Sequence, residues 1–494
     1  VAPSRGLGDV YKRQKHDLSA MFLFQQSQKN YVGESANNSE KALPYRHQGI
    51  AGRITYNYDN RYFVEGNFGY NGSENFSPNH RFGFFPSIAV GYVVSNEKFF
   101  EPIRDVVSMV KLKASYGLVG NDQIGGDRRF IYNETVIGGG KYYFGTTPSQ
   151  YTSVRLGEFP NPNVGWEKAK KFNLGADLSF FNQLNISVDY FKENREGIFL
   201  QRKSIPMYVG LSTKPWVNIG KMRNSGIDAS LEYHQPLGKD LHLTVRGNFT
   251  YARNRIMDQD EPDYAYTYMN HSGQMQWQKF GLVAAGLFQD QEDIDSWAKQ
   301  SFGEVKPGDI KYLDLNGDGI VDNYDTKPIG YSDIPEIVYG FGFSLQWKAF
   351  DLSAFFQGVA HVSFSTLTDQ TQAFVGRNLK ESSVFADLYG NTWTPENPGA
   401  KYPRMTTGAV DNNNQLSTFW MADGRYLRLK NLELGYTLPK RIANKIAMQN
   451  LRVYLSGVNL FTFSPFKLWD PDLQTGATNY PNNRIINLGL TIGF

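Results

Sequence analysis

Phe172-Asn-Leu-Gly-Ala-Asp-Leu-Ser-Phe180 and, after Phe181-Asn182-Gln183, Leu184-Asn-Ile-Ser-Val-Asp-Tyr190 carry the fold in their alternation. Phe172, Leu174, Ala176, Leu178 and Phe180 share one parity; Asn173, Gly175, Asp177 and Ser179 share the other. Beyond the turn, Leu184, Ile186, Val188 and Tyr190 oppose Asn185, Ser187 and Asp189. A period of two makes a strand with one apolar and one polar face, whereas a helix needs apolar spacings of three and four. The code recurs at 241–251, where Leu241, Leu243, Val245, Phe249 and Tyr251 oppose His242, Thr244, Arg246, Asn248 and Thr250. It recurs again at 53–58, 62–70, 110–117, 337–347 and 350–358. Leu427 and Leu429 are odd-numbered, but Leu432, Leu434, Tyr436 and Leu438 are even, so a β-bulge is expected near Lys430-Asn431.

Connections alternate in length. Short ones fall at Asp59-Asn60-Arg61, 181–183, 236–240 and Lys348-Ala349; intermediate ones at 96–108 and 439–450. Long ones fall at 29–47, 72–82, 120–165, 193–219, 255–335, 363–420 and 462–483, with Trp277 to Gln289 kept inside a loop. Outer-membrane barrels have short periplasmic turns and long extracellular loops, with strands of about 9–11 residues. The pattern predicts an all-β fold: a partial antiparallel transmembrane β-barrel of about 14 strands. A bilayer admits strands only when every backbone polar group is paired, so the apolar face meets lipid and the polar face water. Alternation alone also fits a soluble sandwich with apolar faces packed inward. Tyr58, Tyr62, Tyr70 and Phe180 at strand ends read as interfacial girdles and favour the membrane.

Composition removes several classes. The 494 residues include Phe 35, Tyr 30 and Trp 8, too many aromatics for a disordered chain, and no apolar run long enough for a membrane helix. Lys+Arg 51 against Asp+Glu 48, with no basic block, argues against nucleic acid as a partner. Zero cysteines remove disulfides, thiol catalysis and Cys-ligated metals, and suit passage through an oxidising periplasm. The chain begins with Val and shows no signal peptide, so a mature form or a fragment is expected.

The final decamer, Ile485-Ile-Asn-Leu-Gly-Leu-Thr-Ile-Gly-Phe494, alternates throughout and ends on an aromatic residue. It resembles the assembly signal of bacterial outer-membrane proteins. Other stretches resemble the barrel of the SusC/RagA-type TonB-linked outer-membrane transporters. They are Arg81-Phe-Gly-Phe-Phe-Pro-Ser87, Leu112-Lys-Ala-Ser-Tyr-Gly117 with Gly120-Asn121, Asn161-Pro-Asn-Val-Gly-Trp-Glu-Lys168 and Arg223-Asn-Ser-Gly226. Further on come Asp309-Ile-Lys-Tyr-Leu-Asp-Leu-Asn-Gly-Asp-Gly319, Trp393-Thr-Pro-Glu-Asn397, Asp423-Gly-Arg-Tyr-Leu-Arg-Leu-Lys-Asn431, Leu434-Gly-Tyr-Thr-Leu-Pro439 and Asn459-Leu-Phe461. The resemblance runs from about residue 15 to the end and makes residues 1–14 a non-family tail. It implies a plug domain and about eight more strands in a barrel of about 22, so a piece of a longer protein is expected. It also implies a bacterial outer-membrane location and active import of oligosaccharides or peptides. Its partners would be a SusD-like surface lipoprotein above and TonB below.

Asp314-Leu-Asn316-Gly-Asp318-Gly319-Ile320-Val-Asp322-Asn-Tyr-Asp325 follows the EF-hand loop at positions 1, 3, 5, 6 and 9, with the Ile320 carbonyl at 7. Crowded carboxylates repel unless a cation offsets them, so Ca²⁺ is expected on Asp314, Asn316, Asp318, Ile320, Asp322 and Asp325. Asp at position 12 in place of Glu shortens the bidentate reach, and helical flanks are missing. A metal-free turn array is the alternative. No HExxH, GxSxG or Walker pattern occurs, and no catalytic residue is assigned. His234, His242, Arg246, Asp177 and Asp189 are expected on the lumen wall. Tyr142, Tyr143, Phe144, Tyr264, Tyr266, Tyr268, Trp277, Phe374 and Trp420 are candidate contacts for sugar rings or peptide side chains; loop packing explains them equally well. A passive porin, a surface adhesin and an outer-membrane enzyme are the rival functions.

Overall fold

A computed structural model describes residues 15–31, 43–124, 128–211, 213–368, 371, 385–443, 445, 448–476 and 479–493. The expected tail at 1–14, the terminal Phe494 and Phe374 lie outside the described residues. One antiparallel sheet contains fourteen strands in chain order. They are β1 (His16–Lys29), β2 (Tyr45–Tyr58), β3 (Tyr62–Ser73), β4 (Phe82–Val93), β5 (Val107–Asn121), β6 (Glu167–Phe180) and β7 (Leu184–Gln201). Then come β8 (Trp216–Pro236), β9 (Leu241–Asp258), β10 (Ile337–Trp347), β11 (Phe350–Ala360), β12 (Tyr426–Thr437), β13 (Asn450–Phe463) and β14 (Ile485–Gly493). Two compact units divide the chain: Val1–Ile227 with Asn254–Pro262, and Asp228–Arg253 with Asp263–Phe494.

In the first unit, register places the apolar parity of each strand beside that of the next. Leu112 pairs with Ala176 and Ala114 with Leu174, while Ala176 faces Val188 and Leu174 faces Tyr190. This apolar face is open: Ile54 is 58% exposed and Leu174 51%. In the second unit, Leu488 on β14 is 79% exposed. Leu184, Ile186 and Leu243 are half-buried, and Ile492 is exposed. None of these residues lies in a dry interior, so the sandwich alternative is set aside and the fold is a transmembrane β-barrel fold. Among the described residues, no helix is long and apolar enough to cross a membrane.

Short turns close the expected hairpins. Asp59 and Asn60 have φ of 53° and 52°, and Phe181 and Asn182 have 54° and 55°. Two consecutive left-handed residues define the turn that matches strand twist, and Asp and Asn tolerate it well. Above this rim, rings line up: Tyr62 stacks on Tyr92 with centroids 5.1 Å apart, and Phe350 meets Tyr436 at 4.7 Å. The bulge falls where parity slips, since the β12–β13 register jumps between Leu429 and Asn431.

Strand length departs from expectation. β7 has 18 residues, β8 has 21 and β9 has 18, well beyond the expected span. Pairing continues past the apolar band because ion pairs replace lipid contacts there. Lys170 meets Glu196 at 2.9 Å, and Arg195 meets Glu167 at 3.0 Å. Lys192 to Glu196 are polar on both faces, so no alternation marks that stretch. The long connections also hold structure. Residues 136–144 pair with 149–156 as a separate ribbon, and Lys279–Gly281 and Ala284–Leu287 pair with Lys327–Ile329 and Ile310–Tyr312.

Placing a cation on the apolar face tests its orientation. Leu174→Arg should destabilise the folded protein in liposomes by about 2–4 kcal/mol, while Asn173→Arg on the other face should cost far less. Urea unfolding monitored by gel mobility reads both, and equal costs would contradict the assignment of faces.

Candidate functional site

The polar face of the first unit is a web of compensated charges. Lys113 on β5 sits 2.9 Å from Asp177 on β6 and 3.1 Å from Asp189 on β7. Ser187 donates to the Asp177 carboxylate at 2.7 Å. Gly175 makes room for this cluster, because a Cβ there would lie 2.2 Å from Asp189 Oδ1 and 2.4 Å from Lys113 Cε. Asp177 and Asp189 therefore serve Lys113 first. In the second unit, Arg452 bridges Asp351 and Glu433 across three strands. Arg246 joins Glu232 at 3.1 Å, and His234 reaches Glu232 and Thr244 at 3.2 Å each. His242 is exposed. Such a surface is polar, hydrated and rich in groups that a second charged surface can match.

The long connections of the second unit fold into a lobe with its own core. Leu282, Ile310, Tyr312, Val321, Trp393 and Trp420 are buried together. Fully buried Asp309 is held by Arg404 at 2.9 Å and Asn413 at 2.8 Å. Trp420 donates its indole N–H to the Asn413 carbonyl at 2.8 Å, which makes it a core residue of the lobe. Arg428, 1% exposed, is the largest fully buried side chain among the described residues. Its guanidinium grips Asp470 and Asp472, donates to Thr462 Oγ1 at 2.9 Å, and lies 4.9 Å from the Tyr426 ring. It ties the β13–β14 connection to the strand end.

The acidic loop is brought together as a tight turn. Asp314 accepts N–H bonds from Gly317 at 2.6 Å and Gly319 at 2.7 Å, Asp318 from Ile320 at 2.8 Å, and Asp322 from Tyr324 at 2.7 Å. Asn316 and Asp318 face each other at 3.0 Å. Asp325 points the other way: it is fully buried and takes N–H bonds from Leu315 at 2.7 Å and Asp322 at 2.8 Å. It closes the loop from beneath. Asp314 and Asn316 are half-buried and Asp318 and Ile320 exposed, and Gly319 adopts φ of 83° as that turn requires.

The candidate aromatics divide by location. Tyr142, Tyr143 and Phe144 stand 58%, 62% and 63% exposed on the separate ribbon. Tyr266 stacks on Tyr268 at 5.4 Å, and Tyr268 donates to the Tyr324 carbonyl at 2.7 Å, so this trio packs on the acidic loop. Tyr264 lies beside His271, and Trp277 is exposed with φ of 65°. One feature was not foreseen: a groove of about 570 Å³ beside Phe385, Tyr402, Phe419 and Phe466, edged by Asp387 and Lys401. Lys401 and Tyr402 hold the Asp387 carboxyl below the usual carboxylate range. Two connections contribute to it, β11–β12 and β13–β14, and the aromatic-rich stretch 461–469 was its sole sequence signal.

A two-faced antiparallel sheet, with an open apolar side, short turns at one rim and folded loops at the other, defines a transmembrane β-barrel of the outer-membrane kind. The chain belongs to the TonB dependent receptor-like, beta-barrel family, whose model matches residues 7–460. It is 30% identical over 472 residues to TonB-dependent receptor P3 of Formosa agariphila, covering 90% of this chain and 45% of that protein. It is 26% identical over 466 residues to TonB-dependent receptor SusC of Bacteroides thetaiotaomicron, covering 90% and 43%. A solved structure of the RagAB peptide transporter shares the fold, with TM-score 0.73 and 21% identity over 97% of this chain and 54% of that one. The chain spans about half the length of the curated relatives it matches. The family is one of receptors and places the chain in the bacterial outer membrane.

Removing the Arg428 side chain would leave two carboxylates facing each other without a counter-charge. Arg428→Ala should cost about 3–5 kcal/mol, because a broken buried pair leaves uncompensated charge. Arg428→Lys, which keeps the charge but loses the fork, should cost less. Denaturant titration of the full-length protein reads both; an unchanged Arg428→Ala midpoint would contradict the clamp.

Proposed function

We propose that this chain is the barrel portion of an active importer of large nutrients, oligosaccharides or peptides, in the outer membrane. The observation that carries this reading is the compensated charge web on the polar face. A wall of paired charges such as Lys113 with Asp177 and Asp189 suits contact with a polar plug supplied by the rest of the protein. No bond of the cargo is broken by this chain; mechanism lies in gating, with TonB acting on the plug.

A SusD-like lipoprotein is the proposed extracellular partner. The 136–156 ribbon supports this reading, since all its strand residues except Gly139 and Ser153 are exposed. A lone two-stranded ribbon is marginal in water, and Thr135–Gly157 carries Lys141 and Arg155 but no acid. An apolar, acid-rimmed protein surface would complement it. Deleting the full-length gene should abolish uptake of one polymer class while leaving its surface hydrolysis intact. Unchanged uptake would overturn the importer reading; plug-free conductance in a planar bilayer would favour a passive pore.

The acidic loop is proposed to take Ca²⁺ on Asp314, Asn316, Asp318 and the Ile320 carbonyl, with Asp322 at the edge and Asp325 bracing the loop. Among the described residues no three acidic or histidine side chains are gathered closely enough to hold a metal as they stand, so the reading rests on the EF-hand-like spacing of the loop. With a Kd of about 10⁻⁴ M, as in extracellular modules, 10 mM Ca²⁺ should stabilise the folded lobe by about 2.7 kcal/mol. Asp318→Asn should abolish most of that gain. A melting temperature indifferent to Ca²⁺ in both forms would remove the metal from the proposal.

A further inference from the structure

Register in the first unit orders the open face of β1–β4 into rows across the strands. One row reads Phe24, Ile50, Tyr70 and Phe84. Phe24, Tyr70 and Phe84 are 53%, 41% and 56% exposed, so this row belongs to the lipid-facing band. The next row on the same face, away from the short-turn rim, reads Gln26, Gln48, Gly72 and Phe82, and beyond it Gln28 pairs with Arg46. A step of two residues advances about 7 Å along a strand, so three glutamines and an arginine sit at the depth where acyl chains give way to headgroups.

These residues line a groove of about 520 Å³ with Glu74. Its floor is aromatic. The Phe82 ring lies flat over Gly72, where a Cβ would meet it at 2.5 Å, and stacks on Tyr70 with centroids 5.1 Å apart. Arg46 is held in place without being consumed: Nε donates to Gln28 Oε1 at 3.1 Å, and Nη1 is 3.7 Å from Glu74. The side chains of Gln26 and Gln48 make no hydrogen bond among the described residues.

We propose that this groove binds the phosphorylated sugar headgroup of an outer-leaflet glycolipid. Primary amides donate and accept together, which matches vicinal hydroxyls. A guanidinium fork matches a phosphate, and a ring face accepts the apolar face of a sugar. The position commits the occupant to a lipid, because the groove is continuous with the acyl-facing row beneath it. The proposal rests on membrane orientation and does not depend on the cargo.

The test uses the full-length protein, extracted in detergent, stripped of lipid and titrated with lipid A, phosphatidylethanolamine or the water-soluble phosphorylated glucosamine disaccharide. Native mass spectrometry counts bound molecules. Lipid A should be retained at least tenfold better than the other two probes. The pair Arg46→Ala with Gln48→Ala should lower that retention tenfold, and Phe82→Leu should lower it several-fold. Arg53→Ala on the opposite face should change nothing. Each variant is first checked for the heat-sensitive mobility of a folded barrel, and Arg46→Lys gives a milder second variant expected to bind with intermediate affinity. Equal retention by wild type and the double variant would overturn the site, as would equal retention of phosphatidylethanolamine. Tight binding of the soluble disaccharide alone would also overturn it, since the groove would then be a cargo contact. Uptake plays no part in the readout, so failure of the importer reading would leave this result standing.

Discussion

A peptide N–H or C=O left unpaired in hydrocarbon costs several kcal/mol, and everything in this molecule follows from meeting that demand. Each interior strand of the fourteen satisfies its backbone through two neighbours, which leaves side chains free to differ on the two faces. The face toward acyl chains can then be Leu, Ile and Phe, exposed in the isolated protein yet dry in the bilayer. The face toward water carries charges, and these are paired because several lie close together under a limited dielectric. Among the described residues, β1 and β14 each have a single neighbour in the sheet, so the same demand falls on their free edges.

Once beyond the bilayer, the constraint relaxes and the chemistry of stabilisation changes. β6 and β7 stay paired past the lipid band, with Lys170–Glu196 and Arg195–Glu167 in place of lipid contacts. In the second unit, the connections behave as a small soluble protein. They bury Trp393, Trp420 and Tyr312, and satisfy buried charge through Asp309–Arg404 and Arg428 with its two aspartates. Such a lobe can hold fixed shapes, including the acidic turn and the Phe385–Phe466 groove, where loose loops could not.

Glycines recur where large groups need the sheet surface. Gly175 admits the Lys113 cluster on the polar side, and Gly72 lets Phe82 lie flat on the apolar side. In both cases the missing Cβ sets what the face can present, whether an ion network or an aromatic floor.

Strand identity, facing, the bulge near Asn431 and the alternation of short and long connections were legible in the chain, because a period of two survives wherever lipid and water lie on opposite sides. Leu174 and Asp177 declare their sides without any knowledge of partners. The upper half of β7 was not legible, since Lys192, Glu193, Asn194 and Arg195 are polar on both faces and only cross-strand pairing makes them strand. The acidic loop was readable as a motif, yet Asp325 acts as a buried brace because its amide partners come from both ends of the turn. Trp420 and Arg428 look like surface candidates in one dimension. Their burial depends on segments dozens of residues away, and long-range packing of that kind leaves no periodic trace in a sequence.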